Sequence, residues 1–203
     1  MKNNICFEPV SFYEFNDKSA DCQSLIHLIN LYLGEGIVGA EIGVEKATSL
    51  CTFLQMCPGI KKIYAVDNYQ PYSDYFQIPY NKNKAAYSVD LKQSEINRFA
   101  AHHNVEYSGF KDKVIFLEKD SNLALNDIDD NSLDFIFLDT YLTVEQAEND
   151  INVWYPKVKN GGIFSGHDWR LPELQKTIIE FRKNKNINSK LSFFDNTWVW
   201  IKE

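Results

Sequence analysis

Two groups of residues have the types and spacing for chemistry. The first comprises Asp139, His167 and Asp168, two carboxylates and an imidazole that follow the apolar runs Phe135–Leu138 and Gly162–Ser165. Such a set can act as a general base, or can hold a hard divalent cation such as magnesium through its carboxylates. The plainer alternative is that His167 and Asp168 cap a loop or the following helix. The second group begins at Glu41-Ile42-Gly43-Val44-Glu45, where Gly43 permits a tight turn and the small Ala47 lets a following helix pack closely. A dinucleotide fingerprint needs a second glycine where Glu45 stands, and the glutamate would repel a pyrophosphate. A nucleoside without phosphates and with a cationic end suits this turn better. Asp67, after Ile63–Val66, is placed to accept hydrogen bonds from both hydroxyls of a ribose, and Asn68 adjoins it. Asp120 and Ser121, after Val114–Leu117, could offer an acceptor to an exocyclic amine and a hydroxyl to a ring nitrogen.

These residues need a frame that brings strand ends together. Five short apolar runs, Ile37–Ile42, Ile63–Val66, Val114–Leu117, Phe135–Leu138 and Gly162–Ser165, alternate with segments of helical period. That rhythm predicts a parallel sheet with crossover helices. Val144, Ala147, Ile151 and Trp154 form one apolar stripe, and Leu174, Ile178 and Phe181 form another. Leu25, Ile26, Leu28, Ile29 and Leu33 predict a helix ahead of the first strand, ending at Gly34-Glu35-Gly36. Leu191–Phe194 and Thr197–Ile201, separated by Asp195-Asn196, read as a tight antiparallel hairpin. The expectation is an α/β fold, a Rossmann-like three-layer sandwich whose seven-stranded, mostly parallel sheet is closed by a C-terminal antiparallel hairpin. Residues 1–203 form one domain, with an N-terminal extension and helix over 1–35 and a long lid-like insertion over 68–112. In that insertion, aromatic-rich Tyr69–Tyr80 reads as a functional loop and Tyr87–His102 as its helix.

In an open parallel sheet, ligands bind beyond the carboxyl ends of the strands, where all the candidate residues fall. With 203 residues, 44% of them apolar and 24% charged, the chain can bury a core and falls outside the disordered range. A net charge of -7 makes it a poor match for a nucleic-acid backbone. No apolar stretch approaches the roughly 20 residues that cross a bilayer. The N-terminal residues lack the apolar segment of a signal peptide, so the expected location is cytoplasmic. The cysteines at 6, 22, 51 and 57 have neither metal-binding nor redox spacing and read as buried thiols.

Taken in order, Glu41-x-Gly43, Asp67, Asp120-Ser121, Leu133–Asp139, Gly161–Trp169 and Thr197–Trp200 resemble a class I S-adenosylmethionine-dependent methyltransferase. More narrowly, the pattern is similar to the small bacterial, family 24-like methyltransferases, whose fourth strand ends in Asp-Gly-x-His and whose fifth ends in Gly-His-Asp. The resemblance implies that Glu41, Gly43 and Val44 line the methionine part of the cofactor. It places Asp67 and Asn68 at the ribose, Asp120 and Ser121 at the adenine edge, and Asp139 near the cofactor's amino group and the reacting methyl. Ala47 stands where that family has glycine, and Thr140 and Leu142 stand where it has glycine and histidine. The implied activity is methyl transfer from S-adenosylmethionine to a small-molecule acceptor, at a hydroxyl oxygen. His167 would act as the base, or Asp139, His167 and Asp168 would hold magnesium. The competing functions are a catalytically silent S-adenosylmethionine-binding protein and a dinucleotide-dependent oxidoreductase.

Overall fold

The computed structural model describes residues 12–73, 88–140, 143–194 and 196–203. Helix α1 (Phe12–Tyr32) precedes strand β1 (Ile37–Ile42), and α2 (Thr48–Met56) leads to β2 (Ile60–Val66). The two-residue strands β3 (Tyr72–Ser73) and β4 (Ser88–Val89) pair antiparallel ahead of α3 (Leu91–Tyr107) and β5 (Val114–Leu117). Then come α4 (Ser121–Ala124), β6 (Leu133–Leu138), α5 (Val144–Trp154), β7 (Val158–Gly166), α6 (Pro172–Asn184), β8 (Ser192–Phe194) and β9 (Thr197–Ile201). The main sheet has seven strands in the order β5-β2-β1-β6-β7-β9-β8. Strands β5, β2, β1, β6 and β7 run parallel, and β9 joins β7 antiparallel with β8 outside it. This is the expected architecture, with the short β3–β4 pair added.

The central strands are apolar on both faces because both are covered. Along β6, Phe135 and Phe137 face a core built with α1, α2 and α3, where they meet Ile29, Leu50, Phe53 and Ala101. Ile136 and Leu138 face the opposite core, built with α4, α5 and α6, alongside Trp154, Ile178, Trp198 and Trp200. Ala147, Ile151 and Trp154 of one predicted stripe and Leu174, Ile178 and Phe181 of the other lie in that second core, while Val144, in the first turn of α5, is exposed. Among the described residues no helix is long and apolar enough to cross a membrane. Cys22, Cys51 and Cys57 are buried free thiols, and burial pushes the Cys51 thiol up to about 12.

Element ends differ from the sequence expectation where side-chain caps decide them. The helix expected over 87–102 is Leu91–Tyr107, because the Asp90 carboxylate accepts from the Gln93 N–H at 2.8 Å and starts it there. Strand β7 begins at Val158, ahead of the predicted Gly162, through backbone bonds that apolar patterning cannot register: Gly161 N–H donates to the Lys202 carbonyl and Lys202 N–H to that of Gly162. Residues 74–87 of the insertion, and with them most of the aromatic loop read over Tyr69–Tyr80, lie outside the described residues, as do Leu142, Asp195 and Cys6.

Candidate functional site

The parallel strand tips are stapled across by backbone bonds. Gly43 N–H donates to the Val66 carbonyl (2.9 Å), Asp139 N–H to Ile42 (2.7 Å) and His167 N–H to Leu138 (2.9 Å). Four neighbouring tips, on β2, β1, β6 and β7, therefore open on one edge of the sheet. Gly43 sits in the left-handed region at φ +87, and a Cβ there would come within 2.3 Å of the Asp139 carbonyl oxygen. Only glycine allows the two loops to approach this closely. Above them lies a cavity of about 330 Å³, within the range of small-molecule sites.

The cavity is lined by Gly43, Val44, Asp67, Asn68, Asp120, Ser121, Asp139, His167 and Asp168, so nearly every predicted site residue converges on it. Glu41 does not line it. Its side chain is fully buried beneath and accepts a hydrogen bond from Ser49, which does reach the cavity.

Asp67 is more heavily engaged than its sequence position suggests. Its Oδ2 accepts the N–H groups of Val44 and Glu45, both at 2.9 Å, and its Oδ1 accepts that of Tyr69 at 2.8 Å. Glu45, Ala47 and Tyr69 adopt positive φ without being glycine, a conformation that persists only where surroundings impose it. Here the Asp67 carboxylate is part of what imposes it. Two buried asparagines of α3 add support: Asn97 Nδ2 donates to Glu45 Oε1 at 3.5 Å and Asn104 Nδ2 to the Lys46 carbonyl at 2.9 Å.

At the tip of β5, Asp120 caps α4, its Oδ1 accepting from Asn122 N–H at 2.9 Å. Ser121 donates to Asp150 Oδ1 at 3.0 Å, which leaves its hydroxyl no hydrogen for the ring nitrogen that the sequence reading offered it, and Thr140 donates to Asp150 Oδ2 at 2.6 Å. Asp150 on α5 is only 1% exposed, and burial raises its pKa against the lowering effect of those two hydroxyls and Asn149. Sequence reasoning missed it, because helical periodicity sorts an aspartate onto the wet face. A carboxylate one residue before a buried isoleucine, on a helix facing two hydroxyl-bearing strand tips, was the available signal.

Asp139, His167 and Asp168 do come together. His167 Nδ1 lies 3.3 Å from Asp139 Oδ1 and 3.2 Å from Asp168 Oδ1. Burial pulls the imidazole pKa down, but the two carboxylates outweigh it and lift it to about 10. Asp168 is held at φ +62, and the closing hairpin fixes the group from the side. Asn196 Nδ2 lies 3.2 Å from Asp168 Oδ1 and 3.3 Å from His167 Nε2, while Trp198 Nε1 donates to the His167 carbonyl at 2.8 Å. In the sequence Asn196 is legible only as a turn residue. One ligand atom from each of Asp139, His167 and Asp168 lies within 4.8 Å of the others, a spread that one cation could bridge.

The residues fit an S-adenosylmethionine molecule. Glu45, Asp67, Asp120, Asp139 and Asp168 on the cavity wall, against Lys119 and His167, favour a ligand with an ammonium and a sulfonium over one with a pyrophosphate.

Similarity to known proteins agrees. No curated protein matches the chain at a significant level. Among solved structures, a Staphylococcus aureus protein assigned as a caffeoyl-CoA O-methyltransferase superposes with a TM-score of 0.64 at 14% identity, covering 95% of this chain and 93% of that one. Precorrin-6y C5,15-methyltransferase from Geobacter metallireducens gives 0.61 at 13%, covering 89% and 87%. The O-methyltransferase NovP gives 0.57 at 16%, covering 95% and 81%. At such identities these likenesses show the fold. The sequence model of a methyltransferase domain matches residues 40–169, which run from β1 to the residue after Asp168. The chain belongs to this family of class I S-adenosylmethionine-dependent methyltransferases.

Proposed function

We propose that the protein transfers the methyl group of S-adenosylmethionine to a hydroxyl oxygen of a small molecule seated against Asp139, His167 and Asp168. The observation that carries this is the convergence of the Gly43 turn, Asp67, Ser121 and the Asp139–His167–Asp168 cluster on one cavity. Asp67 braces the turn and offers its remaining lone pairs, with Asn68, to the ribose. Asp120 and Ser121 face the adenine. Val44, Glu45 and Asp139 surround the methionine end, and Glu41 supports it from below through Ser49.

S-adenosylmethionine supplies a methyl carbon already activated by its sulfonium, so the chain's task is alignment and removal of one proton. The acceptor oxygen forms its bond to carbon as the carbon–sulfur bond breaks, and the hydroxyl proton leaves to the protein. Without a metal, two carboxylates hold a proton on His167, which can take the acceptor's proton only after losing that one. A divalent ion at Asp139, His167 and Asp168 would replace that positive charge and lower the hydroxyl pKa, with the two carboxylates suited to magnesium.

Labelled-methyl transfer to a panel of phenols, sugars and amines tests this, with and without chelator and with magnesium restored. We expect transfer to a hydroxyl and a loss of about 100-fold or more in His167→Ala. Transfer only to amines, or full activity in His167→Ala, would overturn the assignment. Full activity under chelation would remove the metal.

A further inference from the structure

We propose that Asp150 sets the hydrogen-bond polarity of the cavity wall: by accepting from Ser121 and Thr140 at once, it leaves both hydroxyls as acceptors toward the ligand and so selects adenine over its oxo counterpart. The inference rests on adenine lying at Ser121, as proposed above.

Each hydroxyl carries one hydrogen and can donate once. Ser121 spends its hydrogen on Asp150 Oδ1 and Thr140 spends its own on Oδ2. Asp150 is buried on α5 behind both, and Ser121 and Thr140 both line the cavity, which Asp150 does not. What the two hydroxyls present to a ligand is therefore lone pairs. With the 6-substituent of the purine at these hydroxyls, an exocyclic amine can donate to them, whereas a carbonyl there places oxygen against oxygen; the N1–H of the oxo purine would satisfy them only if the ring nitrogen lay there instead. A site that expects a donor at that point discriminates against a ligand that brings an acceptor there. Asp150 is thus a positioning residue that acts through Ser121.

The test compares binding of S-adenosylhomocysteine and S-inosylhomocysteine, in which the exocyclic amine is replaced by oxygen, by titration calorimetry. The inosyl ligand also gains a hydrogen on N1; the wild type should prefer the adenosyl ligand by about tenfold or more, and equal or tighter binding of the inosyl ligand would overturn the proposal. Asp150→Asn keeps one acceptor and adds a donor, turning one hydroxyl outward; Asp150→Leu, similar in size, releases both. The preference should fall to within about threefold in at least one of them. An unchanged preference in both variants, with affinity lowered equally for the two ligands, would reduce Asp150 to a packing role and overturn the proposal. If Ser121→Ala binds S-adenosylhomocysteine as the wild type does, the fault lies in the adenine placement. If the wild type binds neither ligand, the reading of the cavity itself fails.

Discussion

Replacing Asp67 by asparagine changes one atom, yet should be felt in both stability and binding. The carboxylate accepts three backbone N–H groups, from Val44 and Glu45 on one oxygen and from Tyr69 on the other. An asparagine has a single acceptor oxygen. Placed toward Val44 and Glu45, it sets its NH2 against the Tyr69 N–H; turned round, it opposes the other two. At least one hydrogen bond to a charged acceptor is lost, worth about 1.5–3 kcal/mol. For a chain of this length each kcal/mol moves Tm by about 2–4 °C, so a fall of roughly 3–12 °C is expected. Because Glu45 and Tyr69 stand at positive φ, the released turn should also relax out of its ligand-ready shape. S-adenosylhomocysteine affinity should then drop about tenfold or more. Scanning calorimetry and ligand titration on the same samples measure both. A Tm and an affinity equal to wild type would refute the idea that Asp67 braces this turn.

Three further changes follow from the geometry. Gly43→Ala forces a Cβ to within 2.3 Å of the Asp139 carbonyl oxygen at φ +87, so the β1 and β6 tips must part; cofactor binding should vanish in calorimetry even where circular dichroism shows the fold retained. Ser49→Ala takes a donor from the fully buried Glu41 carboxylate and should cost about 1–3 kcal/mol in a urea melt. Burial raises the Asp150 pKa, so the folded protein binds its proton more tightly than the unfolded chain, and ionised Asp150 costs stability as pH rises through its folded value. Asp150→Asn should therefore be as stable as wild type or more so at pH 8, with that advantage gone at acid pH where wild-type Asp150 is protonated. Parallel melts at the two pH values check the sign.

Sequence patterning carried the frame far because parallel strands buried on both faces are unbroken apolar runs. Ile37–Ile42, Val114–Leu117 and Thr197–Ile201 have the expected bounds to the residue. It failed where structure depends on groups without apolar signal. Lys202 and the glycines extend β7 through backbone bonds, and one carboxylate, Asp90, decides where α3 begins. The same split runs through the site. Asp67, Asp139, His167 and Asp168 were legible because strand ends in such a sheet are where ligands sit. Asp150, Ser49 and Asn196 were not, since each acts through a partner distant in sequence: Ser121 and Thr140, Glu41, and Asp168. Glu41, read as lining the cofactor, is fully buried because Ser49 intervenes.

Titration of the wild-type protein with S-adenosylhomocysteine tests most directly whether this cavity holds S-adenosylmethionine for methyl transfer. The geometry predicts one molecule per chain, saturating below millimolar concentration, and competition by S-adenosylmethionine but not by a nicotinamide dinucleotide. Binding of the dinucleotide, or no heat from S-adenosylhomocysteine at millimolar concentration, would contradict it.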